Sequence, residues 1–353
     1  LKALNIYAGP QALAHIRANG LAPSHIRVIP AAAGGPKGLI LGPMDRFLFG
    51  EWLPQSQQPI DLVGASIGAW RMATACLDQP VSGFERLEHD YIHQHYEVPP
   101  GQKRPSAHLV SAAFGQSLQS FYGDRMGEVL QHPRYRLHVV TSRGQHILHR
   151  EHPLLTPLGY AGAYLCNAVH RKAMGAWLER VVFSTRGELP FAVSDYATQQ
   201  MALTERNFLP AVQASCSIPF VLQAVHDIPD APTGAYWDGG ITDYHLHLNY
   251  KGLVLYPHFQ QAVVPGWLDK ALKWRHKATP FLDHTIVLAP NPEWVKTLPN
   301  GKLPDRSDFT TYATDLTGRV RVWTQAVRAS EQLADEFAQW CASPDPGQVQ
   351  ALA

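Results

Sequence analysis

Residues 59–63 (Pro-Ile-Asp-Leu-Val) are an apolar run that passes through Gly64-Ala65-Ser66-Ile67-Gly68 straight into a helical stretch of small residues, 66–77. An apolar strand joined to a helix through two glycines, with no polar loop between, constrains this chain more than any other feature. A similar junction precedes it. Residues 26–33 (Ile-Arg-Val-Ile-Pro-Ala-Ala-Ala) read as a strand, Gly34 and Gly35 as a turn, and 37–52 as a helix. Strand, helix, strand, helix in about fifty residues is a βαβ unit. Parallel strands joined this way must be covered on both faces, so the expected fold is α/β with a central, mostly parallel sheet.

The remaining pattern extends that sheet. Strand signals recur at 135–141, 180–184, 191–193, 234–237, 253–256 and 285–288, and a helix is expected at 207–215. The turn Pro229-Asp230-Ala231-Pro232 predicts a β-hairpin just before Trp237. Residues 83–131 turn helical, with a break at Pro99, Pro100 and Pro105, and read as a helical insertion over one end of the sheet. Leu316, Val320, Trp323, Val327, Ala334, Phe337 and Cys341 recur at helical spacing and predict one amphipathic helix over 316–341, packed on the sheet. The loops at 258–283 and 291–309 are long enough to carry specificity. Residues 1–353 read as one domain.

Composition narrows the function classes. Lys and Arg number 30, Asp and Glu 29, and charged residues are 17% of the chain, against roughly 25% in an average domain. With 45% hydrophobic residues the chain can bury a large core and does not belong to the disordered class. Balanced charge argues against a nucleic-acid partner, which needs clustered excess Lys and Arg. The 18 histidines add positive charge only in mild acid. Cys76, Cys166, Cys216 and Cys341 match no zinc or CxxC spacing and read as small buried hydrophobes in a reducing compartment, two disulfides being the alternative. No run reaches the ~18 apolar residues of a membrane span, and no basic-then-apolar leader is visible. The expected location is therefore cytoplasmic, although the chain begins at Leu1 rather than Met.

Three motifs carry chemistry. Gly64-Ala65-Ser66-Ile67-Gly68 is a Gly-x-Ser-x-Gly between strand and helix, the setting of a nucleophile elbow. There the serine needs a strained backbone, and side chains two residues before and after would collide with neighbouring backbone. The helix that follows points its N-terminus at the site and favours the anion formed on attack. Gly34, Gly35, Lys37 and Gly38 follow the preceding strand, so both turns fall at the same sheet edge, where free amides can face an oxyanion. A phosphate-cradling P-loop is excluded, because no Gly-Lys-Ser/Thr with the required spacing exists. Trp237-Asp238-Gly239-Gly240 places a carboxylate at a strand end, with two glycines that permit close backbone approach. Plain readings exist for each: a strand–helix turn, a helix N-terminal turn and a hairpin turn.

Taken in order, Gly-Gly-x-Lys-Gly, Gly-x-Ser-x-Gly and Asp-Gly-Gly resemble the patatin-like phospholipases. Ala214-Ser215-Cys216-Ser217-Ile218-Pro219 looks like that family's Ala-Ser-x-(small)-x-Pro segment. The resemblance runs from about residue 26 to 245, and 246–353 carry no motif of that family. It implies a three-layer α/β/α fold and a Ser-Asp dyad, with Ser66 as nucleophile and Asp238 as base. Gly34, Gly35, Lys37 and Gly38 would form the oxyanion loop, Pro36 supplying no N–H. It implies ester hydrolysis of lipids through an acyl-serine, with no cofactor and no metal, and transient contact with a membrane surface. Two departures stand out: Ala33 where many members have another glycine, and Ile241-Thr242-Asp243-Tyr244-His245 where the family runs toward Asn-x-Pro. Lys37 would attract an anionic headgroup or anchor its loop. The insertion at 83–131, with Phe84, Tyr91, Phe114, Phe121 and Tyr122, is placed to cover the site, although core packing is the ordinary use of such aromatics.

Other classes remain open at this level. An α/β-hydrolase shares the elbow but needs a histidine after the acid, and His245, His247, His258 and His284 all follow Asp238. Asp243, His245 and His247 alternate, so on a strand they would share one face and offer a metal site. His89 and His93 lie one helical turn apart, as in a zincin, but with Asp in place of the zincin Glu. His146, His149 and His152 read as loop residues. A catalytically silent lipid-binding protein is the third class.

Overall fold

The parallel core expected from the two strand–turn–helix junctions is present. The computed structural model describes residues 1–98 and 105–352, so Pro99 and Pro100 of the expected break lie outside the described residues. One sheet contains β1 (Leu4–Ala8), β2 (Ile26–Ala31), β3 (Ile60–Ala65), β4 (Tyr135–Gly144), β5 (Leu178–Ser184), β6 (Thr198–Ala202), β7 (Val225–His226), β8 (Ala235–Asp238), β9 (Leu253–Pro257), β10 (Thr285–Pro290) and β11 (Val349–Ala351). Its order is β11-β1-β10-β9-β2-β3-β4-β5-β6, with β8 also paired to β4 and β7 to β8. The strands β10, β9, β2, β3 and β4 at its centre are mutually parallel. Antiparallel pairing joins β1 to β10, β4 to β5 and β8 to β4. Val63, Val139, Val254 and Ile286 on the central strands are fully buried, as strands covered on both faces require.

Helices flank this sheet in a three-layer α/β/α arrangement: α1 (Pro10–Asn19), α2 (Gly42–Phe47), α3 (Ile67–Ala75), α4 (Pro80–His93), α5 (Ala107–Tyr122), α6 (Met126–Leu130), α7 (Leu155–Val169), α8 (Phe208–Ser215), α9 (Gly240–Asp243), α10 (Pro292–Val295), α11 (Ser307–Thr311), α12 (Leu316–Ala329) and α13 (Glu331–Ala342). The expected helix at 37–52 is helical but unevenly wound. A 3₁₀ turn (Gly35–Leu41) leads into α2 and then a π turn (Leu48–Trp52). Pro36 and Pro43 donate no N–H, so they sit where helical segments begin. The insertion forms α4, α5 and α6. Phe84, Phe121 and Tyr122 are core residues, Phe114 packs edge-on against Trp70, and only Tyr91 reaches toward the glycine turn at Gly35.

Two expectations are corrected. Residues 191–193 form no strand; Phe191 makes a single bridge to Tyr250, and its ring packs edge-on on Tyr250 instead. The helix at 316–341 is two helices, α12 and α13, meeting at Ser330. There the hydroxyl donates back to the Val327 carbonyl at 2.6 Å, competing with the backbone ladder. The apolar stripe divides with them. Trp323 and Val327 pack with Leu39 and Ile92, while Phe337 meets Phe47 and Trp52. Strands β1 and β6, with helices α1 and α7, were not foreseen.

One ion pair ties the two βαβ helices together. The Arg71 guanidinium on α3 makes a bidentate pair with Asp45 on α2, at 2.7 and 2.8 Å, with both side chains buried. Replacing one partner leaves the other charge buried alone. Asp45→Ala is expected to lower unfolding free energy by about 3–5 kcal/mol in urea titration.

Candidate active site

Strand register alone brings Ser66 and Asp238 together. Strand β3 covers one edge of β4 as far as Ala65, which lies opposite Val140. Strand β8 takes up that same edge one residue further on, where Asp238 lies opposite Thr141. The serine that follows Ala65 therefore faces the carboxylate that ends β8. The Ser66 Oγ–H donates to Asp238 Oδ2 at 2.7 Å. The second oxygen, Oδ1, accepts from the Gly240 amide at 2.7 Å. Both residues are about 95% shielded from solvent, at 4% and 5% exposure.

Ser66 has φ 57° and ψ −130°, a conformation that costs a non-glycine residue about 1–3 kcal/mol. The surroundings hold it there. Its amide donates to the Ser215 hydroxyl at 3.0 Å, and that hydroxyl donates to the Val140 carbonyl at 2.7 Å. A Cβ on Gly64 would lie 2.4 Å from the Ala69 Cα, and one on Gly68 would lie 1.9 Å from the Ala31 carbonyl oxygen. The elbow closes only with glycine at both places. The same Ala-Ser-x-small-x-Pro segment also grips β8: the amides of Asp238 and Gly239 donate to the carbonyls of Ser217 and Ser215. Ser215 was part of a motif singled out in the sequence, but its bond to a residue 149 positions away was not visible there.

The glycine turn lies against both. A Cβ on Gly240 would touch the Ala33 Cβ at 2.5 Å, and one on Gly38 would meet Ile67 at 3.3 Å. Gly35 has φ 56°, in the left-handed region that favours glycine. The amides of Gly34 and Gly35 donate to no acceptor among the described residues. They remain free for an anion, as do the amides of Ile67 and Gly68 at the start of α3, whereas those of Ala69 and Trp70 donate to the Ser66 carbonyl.

The loops at 258–283 and 291–309 supply two cations that the motifs did not reveal, Lys270 and Arg306. Lys270 Nζ sits 3.9 Å over the Tyr244 ring. Arg306 Nε would lie 3.2 Å from a Cβ on Gly35. Lys37 Nζ lies 5.4 Å over the Phe259 ring. None of the three makes an ion pair among the described residues. Partial burial, with Arg306 and Lys37 nearby, pushes Lys270 down to about 8. Burial raises the Asp238 carboxyl above the ordinary range, partly opposed by the Ser66 hydroxyl, Arg306 and the Gly240 amide. A carboxylate made more basic in this way is a better acceptor for the serine proton.

No histidine bonds the pair. His245 Nδ1 accepts from the Val264 amide at 2.9 Å. His247 bridges the Val263 carbonyl and the Thr279 hydroxyl, at 3.0 and 2.8 Å. His258 Nδ1 lies 2.5 Å from the Gln260 carbonyl. His284 is exposed. The metal readings fail on geometry. Asp243 ends α9, and Leu246 has φ 48°, so 243–247 is no strand and shares no face. Asp243 is instead buried against Arg180 (2.6 and 2.8 Å) and the Tyr196 hydroxyl (2.7 Å). Burial pushes its carboxyl up, but Arg180 more than offsets that and holds it below the usual range. His89 and His93 stack 4.2 Å apart on α4, with His93 Nδ1 turned onto the His89 carbonyl at 2.8 Å and the Asp90 carboxylate 3.4 Å from His89 Nδ1. Among the described residues no three His, Cys, Asp or Glu side chains are arranged so that they could hold a metal ion. All four cysteines are free thiols, and only Cys76 is buried.

Two outcomes follow from these contacts. Ser215→Ala removes both elbow bonds and leaves the Ser66 amide unpaired, so unfolding free energy should fall by about 1–3 kcal/mol in urea titration. His247 and His258 are buried neutral, burial pushing them down to about 4 and about 3. Both are neutral in folded and unfolded chains above the ordinary histidine pKa of 6.5, so their contribution is intact there. Below it the unfolded chain takes up protons first, and stability is lost as pH falls toward the folded values. Denaturation midpoints should therefore drop between pH 7 and pH 5, and drop less in His258→Gln.

No protein-family model matches the chain, and no curated protein matches it closely enough to count as a relative.

Proposed function

We propose that the protein is a serine acyl hydrolase that cleaves carboxylic esters of lipids, in the manner of the patatin-like phospholipases. The observation that carries this reading is the 2.7 Å bond from Ser66 Oγ to a buried Asp238, at a serine of positive φ. In the first step Asp238 Oδ2 takes the Ser66 proton as Oγ attacks the ester carbonyl. The negative charge that forms on the carbonyl oxygen is met by the free amides of Gly34 and Gly35 and by the N-terminal turn of α3. The protonated Asp238 then gives its proton to the departing alcohol, leaving an acyl-serine. Water attacks that ester, loses its proton to Asp238, and releases the acid while Oγ recovers the proton. The Gly240 amide holds Asp238 Oδ1 throughout, so Oδ2 stays aimed at the serine. A histidine-assisted mechanism has no contact here to support it, since no ring nitrogen of His245, His247 or His258 bonds Ser66 or Asp238; their Nδ1 atoms bond backbone groups instead.

Ser66→Ala and Asp238→Asn should each reduce kcat on a p-nitrophenyl ester by at least about 10³-fold with melting unchanged. The acid limb of kcat/KM should fall above the ordinary carboxylate pKa of 3.8, because the base must be ionised and burial raises it. His245→Gln and His258→Gln should keep that limb. Retention of near wild-type turnover by either Ser66→Ala or Asp238→Asn overturns the assignment.

A further inference from the structure

Helix α7 is inserted between β4 and β5, and its outer side has no partner among the described residues. Leu154, Leu158, Leu165 and Val169 are 76%, 62%, 65% and 86% exposed, and they recur at helical spacing with Ala161 between them. Charged side chains are absent from 153–169, and no Asp or Glu occurs between Glu151 and Glu179. A water-facing helix normally carries charge on that side. A contiguous apolar face of this kind marks an interaction surface.

Other exposed apolar groups lie around the helix. Phe220 is half exposed although it has φ 68°, a strained conformation that holds a bulky aromatic out in water. It lies edge-on to Tyr160 of α7, with ring centroids 6.1 Å apart, and Val221 beside it is also exposed. At the other end of the helix, Arg275 donates to Asn167 and to the Ala168 carbonyl. That contact sets Trp274, 64% exposed, beside the last turn, with Trp267 nearby. Tryptophan at the margin of an apolar face is the pattern of a lipid–water boundary.

Charge decides the occupant. Lys172, Lys273 and Lys277 are exposed around the C-terminal end of α7. The single acid in 259–282 is Asp269, which is buried and neutralised by Arg171 and Arg275. An uncharged apolar face with a lysine rim suits a surface of anionic lipid better than a second copy, whose identical rim would repel. The opposite side of the same helix packs toward the candidate site. Tyr160, on the inner side of α7, packs edge-on against Trp237, the residue before Asp238, at 6.1 Å.

We infer that the outer side of α7, with the exposed Phe220, Val221 and Trp274 around the helix, is an interfacial face that seats the protein on anionic lipid surfaces, across the helix from the contact with the strand that ends at Asp238. This deepens the lipid-ester reading and rests on it, but binding can be read without turnover. The test is co-sedimentation of the full-length Ser66→Ala protein with phosphatidylcholine vesicles, with and without about 30% phosphatidylglycerol. Binding is expected to the anionic vesicles. Adding Leu158→Ser and Leu165→Ser should weaken it at least about tenfold, with the melting curve unchanged. Lys172→Gln, Lys273→Gln and Lys277→Gln together should remove the preference for phosphatidylglycerol. No binding to anionic vesicles, or undiminished binding by the leucine variant, overturns the inference. So does a dimer in light scattering that the leucine variant converts to monomer, which would assign the face to a second copy. Vesicle binding by a protein without esterase activity would leave this face standing and remove the hydrolase reading alone.

Discussion

The conformation of Ser66 is the constraint on which the rest of the site depends. A serine at φ 57° is unstable by itself and persists because its neighbours leave no alternative. Gly64 and Gly68 let α3 pass close to β2 and β3, and the Ser215 hydroxyl fixes the Ser66 amide while bonding to β4. Those contacts come from four separate stretches of chain. Each also positions something else: α8 holds β8 through Ser215 and Ser217, and β8 carries Asp238. Strain at one residue is thus distributed over contacts that the sheet would make in any case.

The low charge content acquires a physical meaning in the same frame. Many of the charges this chain has are spent internally. Arg71 is paired with Asp45, Arg180 with Asp195 and Asp243, and His138 lies between Asp61 and Ser184. These pairs link neighbouring elements where a hydrophobic contact would set no orientation. The cations Lys37, Lys270 and Arg306 depart from that pattern. They gather round the glycine turn without ion pairs among the described residues, and their field favours negative charge at the very place where the proposed reaction develops it.

What could be read from the sequence was local. Strand–glycine–helix junctions are written in neighbouring residues, so the parallel core and the positions of Ser66, Asp238 and the glycine turn were legible. Strand β1, five residues of Leu-Asn-Ile-Tyr-Ala, is too short to show a period, and β6 is half exposed and polar. The alternation of Asp243, His245 and His247 does not lie on a strand, because the backbone turns at Leu246, whose positive φ no pattern announces. The break at Ser330 was hidden because the apolar spacing continues across it on both helices. Lys270 and Arg306 lie in stretches with no motif, and only the fold brings them to the dyad. Helix α7 was missed, and its bare outer face with it, since a stretch apolar on all sides reads alike in sequence whether that face is covered or exposed.

The way β8 takes over the edge of β4 that β3 leaves has a temporal consequence. Ser66 and Asp238 are 172 residues apart, and the elbow's clamp, Ser215, comes only slightly earlier than the aspartate. During synthesis the first βαβ unit emerges long before either. It can pair its strands and bury its helices without them, but it has nothing to hold the serine in its strained state. Closing so long a loop is among the slowest contacts a chain makes. The strained state of Ser66 is therefore secured only when 207–245 docks, and it is released if that segment lifts. A nascent or partly opened chain would carry Ser66 in a relaxed turn.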